Sequence, residues 1–455
     1  MEHKHQVVVL GAGPAGLNAA KYAANAGCDV ALIDSGKRLG GQYWRHTGVQ
    51  DFDQSLHDDF DSASLLVDAV RANPRITICS DTSIWSASIL DEQIILRTKN
   101  GAFITQRLVL ATGAYDRTIP FPGWDIPGVM TAGAAQSLLK GSGVIAGKKI
   151  VVAGTGPFLL PVAAALSTHG AESVELYEAT GWNAWLSQLH VLLQNPSKIF
   201  GALGYFKTLR NNKVKMQYHS AVVAAHADDS GLLKSVTVAK IDSTYKVLSE
   251  REVPCDVVAI SYGFTPDIAL AASLSLKAKV ASDGSTFIEV DAEQRATTLD
   301  AKYQIFAAGE LTGVGGSDLA LVEGAIAGLA AAGSSQNKKT LLKLRRRSAR
   351  FAQALLKVYP VPNGWKGWLK NDTTICRCEE VDYQEFLEAG QVLGASDART
   401  MKLMTRCGMG MCQGRICSRN IFDLLQSSEE DRIRGSQRPI ITPITLGELA
   451  QEGLL

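Results

Sequence analysis

This sequence has no excess of charge of either sign. Its 46 Lys and Arg nearly balance 45 Asp and Glu, a formal net charge of +1 over 455 residues, so there is no general pull toward nucleic acid or an anionic membrane. It has no uninterrupted apolar run near the ~20 residues of a membrane span; the longest candidate, 319–333, holds Glu323 and several glycines. The opening MEHKHQVVVL enters a strand at once and leaves no room for a signal peptide. Together these absences point to a cytoplasmic protein, peripheral at most to the inner membrane. No nucleophile is paired with a base, and the eight histidines are spread out with none in a recognisable motif. No catalytic residue is therefore named from the sequence.

What is present is ordinary for a folded protein, 46% hydrophobic and 20% charged, at a length that suggests about two to four domains. Residues 6–34, QVVVLGAGPAGLNAAKYAANAGCDVALID, organise the rest. An apolar strand over 6–10 leads to Gly11, Gly13 and Gly16 at G-x-G-x-x-G spacing. An Ala-rich helix over 14–26 is broken by Gly27, and a second strand over 29–33 ends in Asp34. Gly11 permits the tight turn, Gly13 leaves room for a pyrophosphate, and Gly16 lets the helix pack close to the strand. The helix start, at Pro14 and Ala15, offers free N–H groups and a partial positive charge to phosphates. Asp34, 21 residues after Gly13, can accept from ribose hydroxyls. The pattern predicts dinucleotide binding; the alternative is a glycine-rich turn that binds nothing.

Gly40 and Gly41 form a flexible loop beside this site, followed by Gln42 and Trp44. Flavin-dependent disulfide reductases carry a redox cysteine pair near this point. None falls between Gly40 and Gln50, which argues against that chemistry. Residues 52–73 read as a helix with one polar face, and short alternating runs at 76–79 and 94–98 as a small antiparallel layer. At 107–113, RLVLATG, a buried strand ends in small residues. In two-nucleotide flavoproteins such a turn closes the first pass through the flavin domain and leaves Thr112 and Gly113 near the cofactor. The next segment, DRTIPFPGWDIPGV, holds three prolines and two glycines. It excludes a long helix or central strand and reads as the crossing into a second domain.

In that domain, 148–160 repeats the strand, turn and helix with Gly154 and Gly156, but Leu159 fills the third glycine position and must push the helix away or shift the turn. A strand over 173–177 ends beside Glu178, in the ribose-acid position. No arginine follows it, so the site suits an adenine nucleotide without a 2′-phosphate, or is a degenerate fold kept for shape. Residues 181–211 form an apolar, Trp-containing helical insertion that reads as core or interface. Strands over 236–241 and 253–260 return the chain to the first domain, with a turn at 263–266. Residues 303–333 then supply a strand over 304–307, Gly309 and Glu310, a Gly-rich loop, and an Ala/Gly helix from about Ser317. In two-nucleotide flavoproteins this return segment places an acid, usually Asp, on the flavin's ribityl–phosphate region; Glu310 stands there in this chain. Residues 337–370 are a linker in which Lys338, Lys339, Lys343, Arg345, Arg346, Arg347 and Arg350 crowd one helical stretch. It reads as a solvated face, or as a contact for an acidic partner or lipid headgroups.

Five of the eight cysteines fall in the last module, at 376, 378, 407, 412 and 417. In a reducing compartment such a cluster is metal-binding rather than a disulfide framework. Four thiolates are what a [2Fe–2S] cluster needs, two per iron, so one cysteine is surplus. Gly408, Gly410 and Gly414 free backbone N–H groups to point at sulfur. No histidine lies in the cluster, which disfavours a mixed Cys/His zinc site; an all-Cys zinc site remains the alternative.

The motifs GAGPAGL, GGQ, ATG, GELTGVGG, CRCEEV and GMGMCQGRIC, with the tail RPIITPITLGELA, resemble one family over nearly the whole chain. It is the large FAD and [2Fe–2S] subunit of opine oxidase, hydrogen cyanide synthase and proline or hydroxyproline dehydrogenases. The resemblance implies an α/β fold of two dinucleotide-binding domains, a glutathione-reductase-like Rossmann pair. It adds a small C-terminal [2Fe–2S] domain of the bacterioferritin-associated-ferredoxin type. By resemblance Cys376, Cys378, Cys412 and Cys417 are the ligands and Cys407 the spare. It also implies a smaller FAD-containing, amino-acid-oxidase-like partner subunit, in some relatives an FMN between the subunits, and NAD or ATP in the second nucleotide site.

The expected domains are 1–117 with 256–335 for FAD, 118–255 for the second nucleotide with its insertion 181–211, a basic linker 336–370, and the [2Fe–2S] domain and tail at 371–455. The expected function is electron transfer. A C–N bond of an amino acid, imino acid or opine is oxidised on the partner, and electrons pass by flavin and [2Fe–2S] to a quinone or dye. The insertion, the basic helix and the tail are candidate docking surfaces. The rivals are a stand-alone NAD(P)H-dependent flavoprotein reductase and a nucleotide-bound structural scaffold.

Overall fold

The structure is a computed structural model describing residues 2–47, 56, 59–297, 302–438 and 440–451. Strands Val7–Leu10 and Val30–Ile33 are apolar and buried throughout, and Arg107–Leu110 is buried after its first residue. That is the pattern of strands covered on both faces. They pair in parallel at the centre of a five-stranded sheet ordered Gln304–Ala307, Arg107–Leu110, Val7–Leu10, Val30–Ile33, Ile76–Cys79. The alternation at 76–79 was expected to mark an antiparallel layer; Ile76–Cys79 is instead the outer parallel strand of the main sheet. The antiparallel layer is built by Ser86–Leu90, Gln93–Thr98 and Gly101–Thr105, with Glu2–Lys4 added in parallel at its edge. The helix expected over 52–73 runs Phe60–Arg71; positions 52–55, 57 and 58 of that expectation lie outside the described residues.

Helix Pro14–Asn25 buries Ala15, Gly16, Ala19, Ala20 and Ala23 and packs on helix Ser317–Ala331. The contact is backbone on backbone. A Cβ added to Gly324 would lie 2.0 Å from the Ala15 carbonyl oxygen, and one on Gly328 would lie 2.2 Å from that of Ala19. These elements belong to one compact unit made of Met1–Ala114, Pro266–Ala352 and Ile433–Leu455. The tail was expected to belong with the cysteine module. It joins this unit instead: the Ile441 N–H donates to the Trp85 carbonyl at 2.8 Å and Thr442 Oγ1 to that of Ile84 at 3.2 Å.

The second unit takes Tyr115–Thr265 and Gln353–Arg432. Its five-stranded sheet, ordered Val129–Thr131, Val257–Ser261, Lys149–Gly154, Ser173–Glu178, Lys215–Tyr218, is parallel throughout. A three-stranded antiparallel sheet of Ser220–Ala227, Leu233–Ile241 and Val247–Pro254 accompanies it. The strand expected over 253–260 is broken in two, because the Asp256 carboxylate accepts the N–H groups of Lys148 and Lys149 at 3.0 and 2.9 Å and turns the chain. The turn expected at 263–266 is a short strand, Phe264–Pro266.

The cysteine module has its own core, with Ile375, Val381, Phe386, Met401 and Ile421 packed around Cys376, Cys407 and Cys417. It is seated on the proline-rich segment read as a crossing. Trp124 Nε1 donates to the Thr374 carbonyl at 2.5 Å, the Arg377 guanidinium lies 4.7 Å from the Trp124 ring centroid, and Arg117 pairs with Asp423 at 3.1 Å. The basic stretch is the helix Lys338–Val358; Lys338, still half-exposed, pairs with Glu293, and one cation is not solvated face, Arg345, which pairs with the buried Glu323. Among the described residues no helix is long and apolar enough to cross a membrane.

Gly328→Ala should lower the thermal unfolding midpoint through overpacking, a cost of about 1–3 kcal/mol. Gly204→Ala, where an added Cβ meets nothing within 4 Å, should leave it unchanged or raise it by removing helix-interior glycine entropy. Calorimetry on the two variants checks this, and equal midpoints would sink the packing argument.

Candidate functional site

In the first turn, two glycines are required by the chain itself. Gly11 has φ +103° and an added Cβ would lie 2.2 Å from the Ala111 carbonyl oxygen; one on Gly16 would lie 1.7 Å from that of Gly11. Gly13 is different. It caps the helix with φ −75°, which any residue adopts, and an added Cβ would meet nothing within 4 Å. Pro14 opens the helix at a position whose N–H has no intrahelical partner.

The other predicted residues of this unit gather around that turn. Gly41, at φ +61°, passes so close that its Cβ would lie 2.8 Å from Gly13 Cα. Gln42 beside it is exposed and accepts from Arg45 at 2.6 Å. Asp34 accepts from the N–H groups of Ala12 at 2.5 Å and Gly36 at 2.6 Å, so it ties the second strand to the glycine turn. Thr112 Oγ1 donates to the Asp267 carbonyl at 2.7 Å, and the Asp267 N–H donates to Gly113 at 2.9 Å. A Cβ on Gly309 would lie 3.0 Å from the Ala15 Cβ. Glu310 accepts from the N–H groups of Gly316 at 2.7 Å and Gly315 at 3.2 Å. Desolvation pushes its pKa up to about 7, with the Glu323 charge adding and the two N–H donors opposing. Sequence reasoning missed Glu323, which is buried and holds the Gly309 N–H at 3.1 Å and Thr312 Oγ1 at 2.8 Å while paired to Arg345.

The second turn, in the other unit, is closed. Gly154, at φ +140°, has its Cβ position 1.7 Å from the Ser261 carbonyl oxygen, and Gly156 has φ +116°, so both glycines have reasons within the chain. Leu159 shifts the turn: the helix starts at Leu159, three residues after Gly156, whereas the first helix starts directly after Gly13. Glu178 is 6% exposed. It accepts from Thr155 Oγ1 at 2.7 Å, the Thr180 N–H at 2.9 Å and the Gly156 N–H at 3.1 Å. Burial still pushes its pKa up to about 7. Its charge is felt by Tyr218, Tyr245, Tyr262 and Tyr359, whose hydroxyls are all shifted upward, first by burial. None of the tyrosines, Thr155 or Thr180 carried a sequence signal.

The five clustered thiols lie in a chain of contacts. Cys376 is in hydrogen-bonding contact with Cys407 and Cys417, and Cys412 with Cys417 and Cys378. Cys376 also accepts the N–H groups of Gly408 and Glu379, and Cys412 those of Ile416 and Gly414. These donors hold both sulfurs well below the ordinary thiol pKa, led by the S–H groups of Cys407 and Cys417 on Cys376 and of Cys417 on Cys412. Gly408 and Gly414 thus aim backbone N–H at sulfur as their spacing suggested. Gly410 serves another purpose: its Cβ would lie 2.3 Å from that of Cys378. Among the described residues no three His, Cys, Asp or Glu are arranged around a point that would hold a single metal ion.

The raised Glu178 gives a signed expectation. Its pKa in the folded chain is above the unfolded value, so the folded state binds more protons in between, and its contribution to stability is lost as pH rises through about 7. The melting temperature should therefore fall more between pH 5.5 and 8.5 (roughly a unit and a half either side of that pKa) in the wild type than in Glu178→Gln. Replacing the carboxylate adds a pH-independent clash at the Gly156 N–H but no titration. Parallel pH slopes would show that Glu178 does not titrate in this range.

The sequence pattern of the pyridine nucleotide-disulphide oxidoreductases matches residues 5–327. Hydrogen cyanide synthase subunit HcnB of Pseudomonas protegens is 29% identical, with 95% of this chain and 94% of that one covered. An opine oxidase subunit of Rhizobium meliloti strain 1021 is 30% identical, with 97% and 98% covered. Among solved structures, L-proline dehydrogenase from P. horikoshii shares the fold at a TM-score of 0.68, with 20% identity over 98% of this chain and 80% of that one. The chain belongs to the pyridine nucleotide-disulphide oxidoreductase family, and within it to the flavoprotein oxidoreductase subunits typified by HcnB and its opine oxidase counterpart.

Proposed function

We propose that this chain is the electron-transfer subunit of a heteromeric flavin-dependent dehydrogenase. A smaller FAD-containing partner, resembling an amino-acid oxidase, takes the substrate, an amino acid, imino acid or opine whose C–N bond is oxidised. The observation that carries the reading is the thiol cluster: five sulfurs in contact, with Cys376, Cys407 and Cys417 buried, Cys412 half-buried and Cys378 exposed, and with backbone N–H groups already aimed at Cys376 and Cys412. A [2Fe–2S] cluster takes two thiolates per iron, and N–H donors to sulfur help set its potential. The pairs Cys376 with Cys417 and Cys378 with Cys412 suit it, with Cys407 as the spare.

The first turn suits FAD, because the chain gives no internal reason for a glycine at 13 and a pyrophosphate does. Gly11, Gly13, Pro14, Ala15, Gly16 and Asp34 would hold the adenine half and the phosphates. Gly41, Gln42, Thr112, Gly113, Gly309 and Glu310 would line the flavin half. When bound, the flavin accepts an electron pair and passes electrons on singly, which links a two-electron oxidation to an iron–sulfur carrier. NAD or ATP in the second site rests on the family resemblance alone, because Gly154 and Gly156 have reasons within the chain and the buried Glu178 carboxylate is already hydrogen-bonded; an FMN would belong at a subunit interface. The final acceptor is a quinone or a dye, and the setting cytoplasmic.

Gly13→Val should abolish flavin binding while leaving the fold intact, since both φ and space at 13 accept a side chain. Flavin absorbance against a melting curve reads both, and a folded variant with full flavin misplaces the site. Iron and acid-labile sulfide should each be about two per chain. Zinc without sulfide would overturn the cluster, and its loss in Cys407→Ser but not Cys417→Ser would move the ligand set. Dye reduction by the substrate should need both subunits.

A further inference from the structure

The insertion of the second unit was expected to be core or interface, and it is not core. It consists of the turn Trp182–Gln188 and the helices Leu189–Leu193 and Pro196–Asn211. Across all three only Val191 and Leu209 are buried. Trp182 is 67% exposed, Leu193 69% and Phe200 72%, with Leu186 and Leu203 also in solvent. So many large apolar side chains in one stretch of surface mark a contact site.

The charge on this surface identifies the contact. No Asp or Glu occurs from 179 to 227, a run that contains the whole insertion. Lys207, Arg210 and Lys213 are exposed at its C-terminal end. On the helix, Phe200 and Leu203 share a face with Lys207 and Arg210, at spacings of three, four and seven. A protein interface is depleted in Lys as well as in Asp and Glu, whereas this surface lacks only the acids and keeps its Lys. A one-signed, Lys-containing surface studded with Trp, Leu and Phe is the composition of a segment lying in the lipid interface. There the apolar side chains enter the headgroup boundary, and Lys and Arg extend their charges to anionic headgroups. The whole-chain charge balance conceals this, because the acids lie elsewhere in the sequence.

We propose that residues 182–213 seat this chain on an anionic lipid bilayer, bound at the surface without crossing it. The proposal is independent of which cofactors the chain holds.

The test uses the full-length purified chain and vesicles of phosphatidylcholine alone or doped with phosphatidylglycerol. The wild type should sediment with the anionic vesicles, about ten-fold or more weaker with the neutral ones, and come off as salt is raised. Phe200→Glu with Leu203→Glu should abolish sedimentation. Lys207→Gln with Arg210→Gln and Lys213→Gln should remove the preference for anionic vesicles. All five positions are exposed, and an unchanged melting temperature confirms each variant is folded. A wild type that stays in the supernatant overturns the proposal, as does a glutamate variant that sediments normally. So does a glutamate variant that loses a co-purifying smaller subunit yet keeps its vesicle binding, because the face would then be a protein interface.

Discussion

Two helices about 300 residues apart in the chain pack with backbone against backbone at two glycines, with Asn18 Nδ2 of the first donating to the Leu321 carbonyl of the second at 2.7 Å, and the geometry of the first site depends on that contact. Gly324 and Gly328 let the return helix lie directly against the carbonyls of Ala15 and Ala19. The same helix carries Glu323, which grips the Gly309 N–H and Thr312 and is neutralised by Arg345. The Gly309–Thr312 turn is therefore held at the first turn of the Pro14–Asn25 helix from two sides, by close packing and by a buried ion pair. A buried charge is tolerated only when paired and hydrogen-bonded. That requirement is why a cation from the basic stretch, Arg345, is structural rather than solvated.

The fold was legible wherever local chemistry decides it. Glycine turns, a proline at a helix start and an apolar run placed the strands and helices of the first motif to within a residue or so. It was illegible where pairing is decided by distant partners. The run ITIC at 76–79 alternates, and alternation suits an antiparallel layer as well as the rim of a parallel sheet; only the neighbouring Val30–Ile33 strand settles which. The break after Pro254 depends on Asp256 reaching Lys148 and Lys149, about a hundred residues upstream. The sites divide the same way. That Glu178 ends its strand could be read from the sequence; that Thr155, Thr180 and Gly156 already occupy its carboxylate could not.

The crossing segment shows why a proline-rich stretch need not be surface loop. Ile119, Phe121 and Trp124 are fully or almost fully buried there, although no regular element lies between Ala114–Asp116 and Val129–Thr131. Irregular backbone is costly to bury because its N–H groups lack partners. Pro120, Pro122 and Pro127 have no N–H to satisfy, which leaves the segment free to serve as core. With Trp124 pinned between the Thr374 carbonyl and the Arg377 guanidinium, a stretch that looks like a linker becomes the seat of the thiol module.

Glu310 is one methylene longer than an aspartate would be, and that length has a consequence. It lets the carboxylate reach forward to the N–H groups of Gly315 and Gly316, at the mouth of the helix that begins at Ser317. Those donors favour the charged form, yet burial and the neighbouring Glu323 outweigh them and leave the group near neutral pH in its titration. A carboxylate has about four acceptor positions, and backbone N–H groups use only part of them. A hydroxyl-bearing ligand that donates to the remainder would stabilise the ionised form and lower the pKa again. Ligand binding and deprotonation at Glu310 are therefore linked in sign: whatever hydroxyl it accepts binds more tightly as pH rises through about 7.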